Sequence, residues 1–570
     1  MPLASIHFRR AGLFAPLALA SLAGILSAAA PSSPATGQAG VVLDLQPVVS
    51  STVSEMRVIE RLPADFAKPG EPLTLAFDTL APVYERTSDK VEGLIVEDAL
   101  GRVPMAGPVR DGDEDLWRAN RPTQGPVTIR YSVPAASNAV PHSGPITYLQ
   151  ATAGGLSGAF SSFLLAPRNA GRTNIAVRWQ MPAGQRAITT ASVDDFDQTT
   201  TLSQLANTLF VAGSLVQSPE NPSNDTLVIA GLAQPKSEVE QAALWFRPAL
   251  AAMGEAFGAG KDNGYRVMFF SHDRQGFSSG TSKKGGFLFF LPSNQRLSSP
   301  KQRSIIAHEM VHSFVNFYGG DTGDWYNEGI ADYAALIVPQ AAGLVTPQEY
   351  LRLVNEEAAF YYLNRFRDTP NDKIADIPPR AIGGWSVPYT RGAMYFANLD
   401  AKLRARHSKV TVLDLVKRMN PLGTQGPIAS AEWSKLLMTH AGTWAVADWR
   451  DMMAGKLIRP VPGAFGECLV ARPITAGQLD LGASGTSFRK GNRIGHVDPA
   501  SNAFKAGLRS SDVFRETFEP NDAGLSFDER VTFKVARDGK PMDVTFAPRS
   551  GRAIGYKWFP RSGNAARPCR

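Results

Sequence analysis

The sequence predicts a multidomain α+β protein, with a β-rich N-terminal part, a mainly helical middle and a second β-rich part at the C-terminus. Three observations carry this. In the first third, apolar residues alternate at strand spacing, as in Leu73-Thr74-Leu75-Ala76-Phe77 and from Val127 to Val133. From about residue 237 the apolar positions recur every three and four residues, and residues 301 to 455 keep that helical texture. Beyond Pro460, Gly-rich turns and alternation return. A chain of 570 residues exceeds what one core serves, and 44% hydrophobic residues give several domains enough to bury.

The N-terminus reads as an export signal over residues 1–29. Arg9 and Arg10 precede the apolar run AGLFAPLALASLAGILSAAA, which ends in small residues. Cleavage falls after Ala29 or, as second choice, after Ala39. The alternative is an uncleaved anchor, because the run approaches the ~18 residues that span a bilayer. Export to the periplasm or beyond follows, with no membrane span in the mature chain. A Pro/Ser/Ala/Gly-rich linker occupies 30–40, and the alternating runs assign 41–170 to an N-terminal β-sandwich-like domain.

Residues 171–460 form the next unit. Ser237 is placed to cap the helix SEVEQAALWFRPALAAMGEAF, and two short strands follow near Arg266 to Phe270 and Gly286 to Leu291. Thr346-Pro347-Gln348-Glu349 reads as a capping box with proline at the first helical position, and Thr411 with Asp414 opens another helix. Residues 470–560 form the last domain, with a hairpin signal at Arg537-Asp538-Gly539-Lys540. The only cysteines, Cys468 and Cys569, either form a disulfide clasping this domain or remain two free thiols. The net charge of +7 is spread over a chain with only 19% charged residues and no Lys/Arg block, which excludes a nucleic-acid partner.

The chemistry lies in RSIIAHEMVHSFVNF. His308 and His312 stand four residues apart on one helix face, so both imidazoles reach one ion. Glu309 lies one position round and reaches a water on that ion, which is the general-base position. A hydrolytic zinc site needs a third protein ligand, and Glu328 supplies it from Asp324-Trp325-Tyr326-Asn327-Glu328-Gly329-Ile330-Ala331-Asp332-Tyr333. Asp332, one turn after Glu328, is placed to accept a hydrogen bond from the outer nitrogen of a ligand histidine.

With HEMVH and WYNEGIADY together, the chain resembles the gluzincins, a group of zinc metallopeptidases. Within them it is similar to the glycyl aminopeptidase family and, more distantly, to the aminopeptidase N and leukotriene A4 hydrolase family. The resemblance implies a thermolysin-like catalytic domain, one Zn2+ held by His308, His312 and Glu328, and hydrolysis of a peptide or protein substrate. Pro388-Tyr389-Thr390-Arg391-Gly392 resembles the segment whose tyrosine helps stabilise the oxyanion, which gives Tyr389 that role. The segments IGHVDPASNAFKAGLRSSDVF and RVTFKVARDGKP resemble parts of a PDZ domain, which implies a PDZ-like module that takes a peptide tail as an added strand.

Two departures stand out. The family's Gly-Gly-Leu-Glu-His strand corresponds here to Gly285-Gly286-Phe287-Leu288-Phe289, so an acid is missing at Leu288 and the choice between aminopeptidase and endopeptidase stays open. The gap from His312 to Glu328 is also short, which implies a trimmed loop through Gly319 to Gly323. Two other function classes compete: a peptide-binding protein on an inactive peptidase scaffold, and a zinc hydrolase of non-peptide substrates.

Overall fold

The alternating runs of the first third become strands in the computed structural model. It describes residues 40–570 except 51–52, 67–69, 79–90, 113, 138–146, 153, 169, 259–263, 273–277, 316–324, 379–380, 424–429, 485–487, 519–525, 562–568 and 570. The signal segment 1–29, nearly all of the linker and the loop Gly319 to Gly323 lie outside the described residues.

Seven strands form one sheet in the order Phe196–Thr200, Thr173–Trp179, Val41–Val49, Ser54–Leu62, Val127–Pro134, Glu92–Asp98 and Gly101–Arg102. A second sheet runs Ala166–Pro167, Pro72–Asp78, Glu114–Pro122, Met105–Asp111. Every second residue turns inward: Val127, Ile129, Tyr131 and Val133 are buried, and they share one core with Leu75, Phe77 and Trp117 of the second sheet. The result is a β-sandwich.

The β-rich part does not end at residue 170 as the sequence suggested. Thr173–Trp179 pairs in parallel with Val41–Val49 and antiparallel with Phe196–Thr200. A further sheet includes Arg186–Thr189 and Leu209–Gly213. Pairing between residues so far apart leaves no mark on local alternation.

A five-stranded sheet follows in the order Leu215–Ser218, Val228–Leu232, Arg266–His272, Gly286–Pro292, Ser279–Lys283. The three inner strands are parallel and the two outer ones antiparallel to their neighbours. Its two faces are both buried, which explains the unbroken apolar run of Gly286–Pro292. Met268, Phe270, Leu288 and Phe290 pack on Leu209 and Val211 of the preceding β part. Val267, Phe269, Phe287 and Phe289 face the helices.

Those helices include Lys236–Phe257, Pro300–Phe314, Asn327–Ala341, Pro347–Tyr362, Val387–Ala405 and Val412–Gly423. The Thr346 hydroxyl accepts from the Glu349 amide at 3.2 Å with Pro347 behind it, and Thr411 and Asp414 cap each other reciprocally. Ser237 is instead the second residue of its helix, and the preceding Pro235 offers no side-chain cap.

At the C-terminus two long antiparallel strands, Leu469–Leu479 and Arg549–Pro560, form a ribbon. It docks on Pro347–Tyr362 through Asn355, which exchanges two hydrogen bonds with the Trp558 backbone at 2.8 and 3.0 Å. The Trp558 ring is buried in the helical core beside Phe465. Cys468 and Cys569 are joined as a disulfide at the foot of the ribbon. Between the ribbon strands sits a small module with its own core of Leu481, Ile494, Leu508, Phe514, Phe533, Val544 and Phe546. Its hairpin Val531–Arg537 and Lys540–Phe546 turns on Asp538 and Gly539, at φ 49° and 76°. Among the described residues no helix is long and apolar enough to cross a membrane.

Candidate metal centre

Ser299 opens the helix Pro300–Phe314 by accepting from the Gln302 amide, with Pro300 pre-set for the first turn. Ile306, Met310 and Val311 bury one side of it in the core. That anchoring fixes the rotation of the helix, so His308 and His312 project together toward the first turn of Asn327–Ala341, which carries Glu328.

His308 Nε2 lies 3.0 Å from His312 Nε2, and Glu328 Oε2 lies 3.2 and 3.3 Å from the two nitrogens. Tetrahedral ligands about 2.0–2.1 Å from zinc stand about 3.3 Å from one another, so this triangle matches three corners of a zinc tetrahedron. Glu328 Oε2 is buried and without a hydrogen-bond partner, as an oxygen reserved for an ion would be. Asp332 Oδ1 sits 2.6 Å from His308 Nδ1, which places the proton on Nδ1 and leaves the Nε2 lone pair on the side of Glu328. Asp332 is therefore not an ordinary solvated carboxylate.

The electrostatics favour a cation. Burial opposes charge on His308, yet the Asp332 and Glu328 carboxylates outweigh it and raise the imidazole well above its ordinary range, so the carboxylates that draw a proton to Nε2 would equally draw a metal ion in its place. Burial likewise opposes ionisation of Glu328, and the two imidazoles outweigh it and hold the carboxyl well below the usual carboxylate range. Behind Asp332, burial and then the Asp332 charge push the Glu357 carboxyl up.

Tyr389 stands in the first turn of Val387–Ala405, and its ring stacks on His308 at 5.8 Å between centroids with an 11° tilt. Two glycines make this possible. A side chain on Gly392 would put its Cβ 2.6 Å from the Gly329 Cα and into the Trp325 carbonyl, so the two helices cross backbone on backbone. The neighbouring Arg391 is buried and donates to the carbonyls of Arg367 and Thr369 at 2.8 and 2.6 Å, which makes it a structural clamp.

Glu309 is 8% exposed and lies against the edge strand Ser279–Lys283, an element absent from the sequence-based assignment. The Ser282 hydroxyl is 2.7 Å from Glu309 Oε2 and 2.8 Å from the Glu309 carbonyl oxygen. Gly280 leaves room for the carboxylate, because a Cβ there would lie 2.5 Å from Glu309 Cδ. No period-2 pattern marks SGTSK; the signal that would have found it is an antiparallel partner for the apolar strand Gly286–Pro292.

This strand also corrects the reading of Leu288. Leu288 is fully buried in the core between the catalytic sheet and the preceding β part, so an acid there would face apolar side chains and no substrate. The strand beside Glu309 is SGTSK, and it too carries no carboxylate.

No family model matches the chain, and no curated protein does. Solved structures do. An aminopeptidase N family protein from Idiomarina loihiensis has a TM-score of 0.68 at 13% identity, over 93% of this chain and 100% of that one. An M1 zinc metallopeptidase from Deinococcus radiodurans matches with a TM-score of 0.43 at 18% identity, over 75% of this chain and 98% of that one. Yeast LTA4 hydrolase gives 0.48 at 12% identity, over 75% of this chain and 69% of that one. The likeness to the first, spanning nearly the whole of both chains, establishes that this chain has its fold.

Proposed function

We propose that the chain is an exported zinc-dependent peptidase in which His308, His312 and Glu328 hold one Zn2+ and Glu309 is the general base. The observation that carries it is the triangle of 3.0, 3.2 and 3.3 Å among three ligand atoms with a buried carboxylate one residue along. The fold shared with an aminopeptidase N family protein supports a peptide substrate. Held by His308, His312 and Glu328, a zinc ion would act as a Lewis acid, lowering the pKa of an attacking water toward neutral and polarising a carbonyl. Glu309, held by Ser282, takes the proton of that water and later returns it to the leaving amine. The Tyr389 hydroxyl donates to the oxygen on which negative charge develops, a contact typically worth about 3 kcal/mol. Asp332 keeps His308 in the tautomer that presents Nε2.

Within this reading the chain is similar in plan to the glycyl aminopeptidases, and the small C-terminal module, with its hairpin Val531–Phe546 and short helix Asn502–Lys505, is PDZ-like. The test is Glu309→Gln in purified protein. Zinc content stays stoichiometric while peptide hydrolysis falls by about 10³-fold, within the span of a lost general base. Full hydrolysis by Glu309→Gln with zinc bound overturns the assignment. A peptide-library digest read by mass spectrometry then places the cuts: one residue from the N-terminus for an aminopeptidase, internal for an endopeptidase.

A further inference from the structure

We propose that Trp385 is a wall of the substrate site and selects peptides carrying an aromatic or bulky aliphatic residue beside the scissile bond. This rests on the peptidase reading above and adds its side-chain preference.

Among the described residues few large apolar side chains are exposed, and Trp385, at 48%, is the aromatic one. The others, such as Leu100, Leu244 and Met438, lie away from the metal centre in sequence and in element, whereas Trp385 stands four residues before Tyr389. Its ring meets the Tyr389 ring edge to face, at 5.4 Å between centroids and 78° between planes. Tyr389 in turn stacks on His308. A peptide whose carbonyl oxygen reaches the Tyr389 hydroxyl therefore sets a neighbouring side chain within reach of the indole.

The exposure is built in. Gly383, Gly384 and Ser386 around the tryptophan are all buried. Asn364 donates to the Gly383 carbonyl at 2.7 Å and to the Ser386 hydroxyl at 3.2 Å, and Ser386 donates to the Gly383 carbonyl at 3.0 Å. A Cβ on Gly384 would lie 2.6 Å from Ile377 Cγ2, and Ile382 packs against the core of the C-terminal module. A loop fixed on both sides holds an indole in water next to the catalytic tyrosine, at the cost of the burial a tryptophan normally finds. Rigid aromatic anchors of this kind dominate recognition because little entropy is lost when a partner covers them.

The experiment compares cut-site profiles of wild type, Trp385→Ala and Trp385→Phe on one peptide library. It then measures kcat and KM on two synthetic peptides that differ only by Phe or Ala beside the cut, with zinc content as a control. Binding of the same peptides to Glu309→Gln and to Glu309→Gln/Trp385→Ala is read by calorimetry. Wild type should favour aromatic and bulky aliphatic residues. Trp385→Ala should lose that preference through a KM about tenfold higher for the Phe peptide and little changed for the Ala peptide, and Trp385→Phe should restore most of it. A Trp385→Ala enzyme that cleaves with the wild-type profile and KM overturns the proposal while leaving the peptidase reading intact. If wild type cleaves nothing yet binds the Phe peptide through Trp385, the hydrolytic reading fails and the recognition role stands; if it neither cleaves nor binds, both fail.

Discussion

Glu60 shows what a single buried charge does far from the chemistry. It points into the sandwich core with no exposure and no hydrogen-bond partner on either oxygen, and burial alone pushes its carboxyl up to about 8. Its folded pKa thus lies above the ordinary 4.5, so it is neutral in the fold where the unfolded chain would ionise. The stability this proton supports is complete below about pH 4.5 and is lost as pH rises through about 8, a loss of about 3 kcal/mol by pH 7. We predict that the sandwich melts at higher temperature at pH 5 than at pH 8, and that Glu60→Gln flattens the difference. Equal melting temperatures across that range for wild type would contradict it. Asp332 is the opposite case, a carboxylate whose environment has a use for its charge. Its place four residues after Glu328 was legible because a helix turn puts both on one face. Glu60 was not legible, since alternation in Ser54–Leu62 gives an inward position without saying that a charged residue fills it.

At the scale of elements, the site depends on how closely two helices approach. HEMVH, NEGIAD and PYTRG could each be read from the sequence because each motif needs particular side chains at helical spacing. What the sequence did not say is why two of them contain glycine. Gly329 and Gly392 meet backbone to backbone, and that contact brings Tyr389 over His308 while keeping Glu328 at the imidazoles. The aromatic cluster of Trp325, Tyr326, Phe396 and Trp433 packs beside the same crossing. Gly392→Ala must therefore spread the helices, and overpacking of this kind costs about 1–3 kcal/mol. We expect a lower melting temperature together with a drop in kcat at retained zinc, because Tyr389 moves farther than the ligands, which share their own helix contact. Unchanged kcat and stability in Gly392→Ala would show that the crossing is not constrained as described. The edge strand Ser279–Lys283 was the element the sequence hid. Its five small and polar residues lack any apolar alternation, and its position is set by its neighbour Gly286–Pro292 and by Glu309.

At the scale of the whole molecule, the C-terminal part divides into two pieces with different roles. The ribbon belongs to the catalytic core: Trp558 is buried there, Asn355 pairs with its backbone, and Arg367 donates to the carbonyl of Ile554 at 2.7 Å. The small module held between the ribbon strands has its own core, meets Ile382 of the catalytic part, and packs Phe527 against the helical and ribbon core. Sequence patterning saw both as one domain at 470–560 because strand alternation does not tell which partner a strand packs against. Two deletions separate them. Truncation from residue 470 onward removes Trp558 and the disulfide partner Cys569, and loss of a buried tryptophan alone costs about 3–5 kcal/mol, so that chain should be insoluble. Replacing residues 480–548 by a two-residue turn joins Leu479 to Arg549, which already face each other in the ribbon register, and this chain should fold and bind zinc. With Ile382 uncovered, the loop bearing Trp385 loses its support, so kcat/KM on peptides should fall while the melt stays cooperative. Calorimetry, zinc content and peptide kinetics on the two chains decide it. A soluble truncation that melts like wild type would mean that the ribbon is an appendage, and an excised chain with full kcat/KM would mean that the module does not reach the site through Ile382.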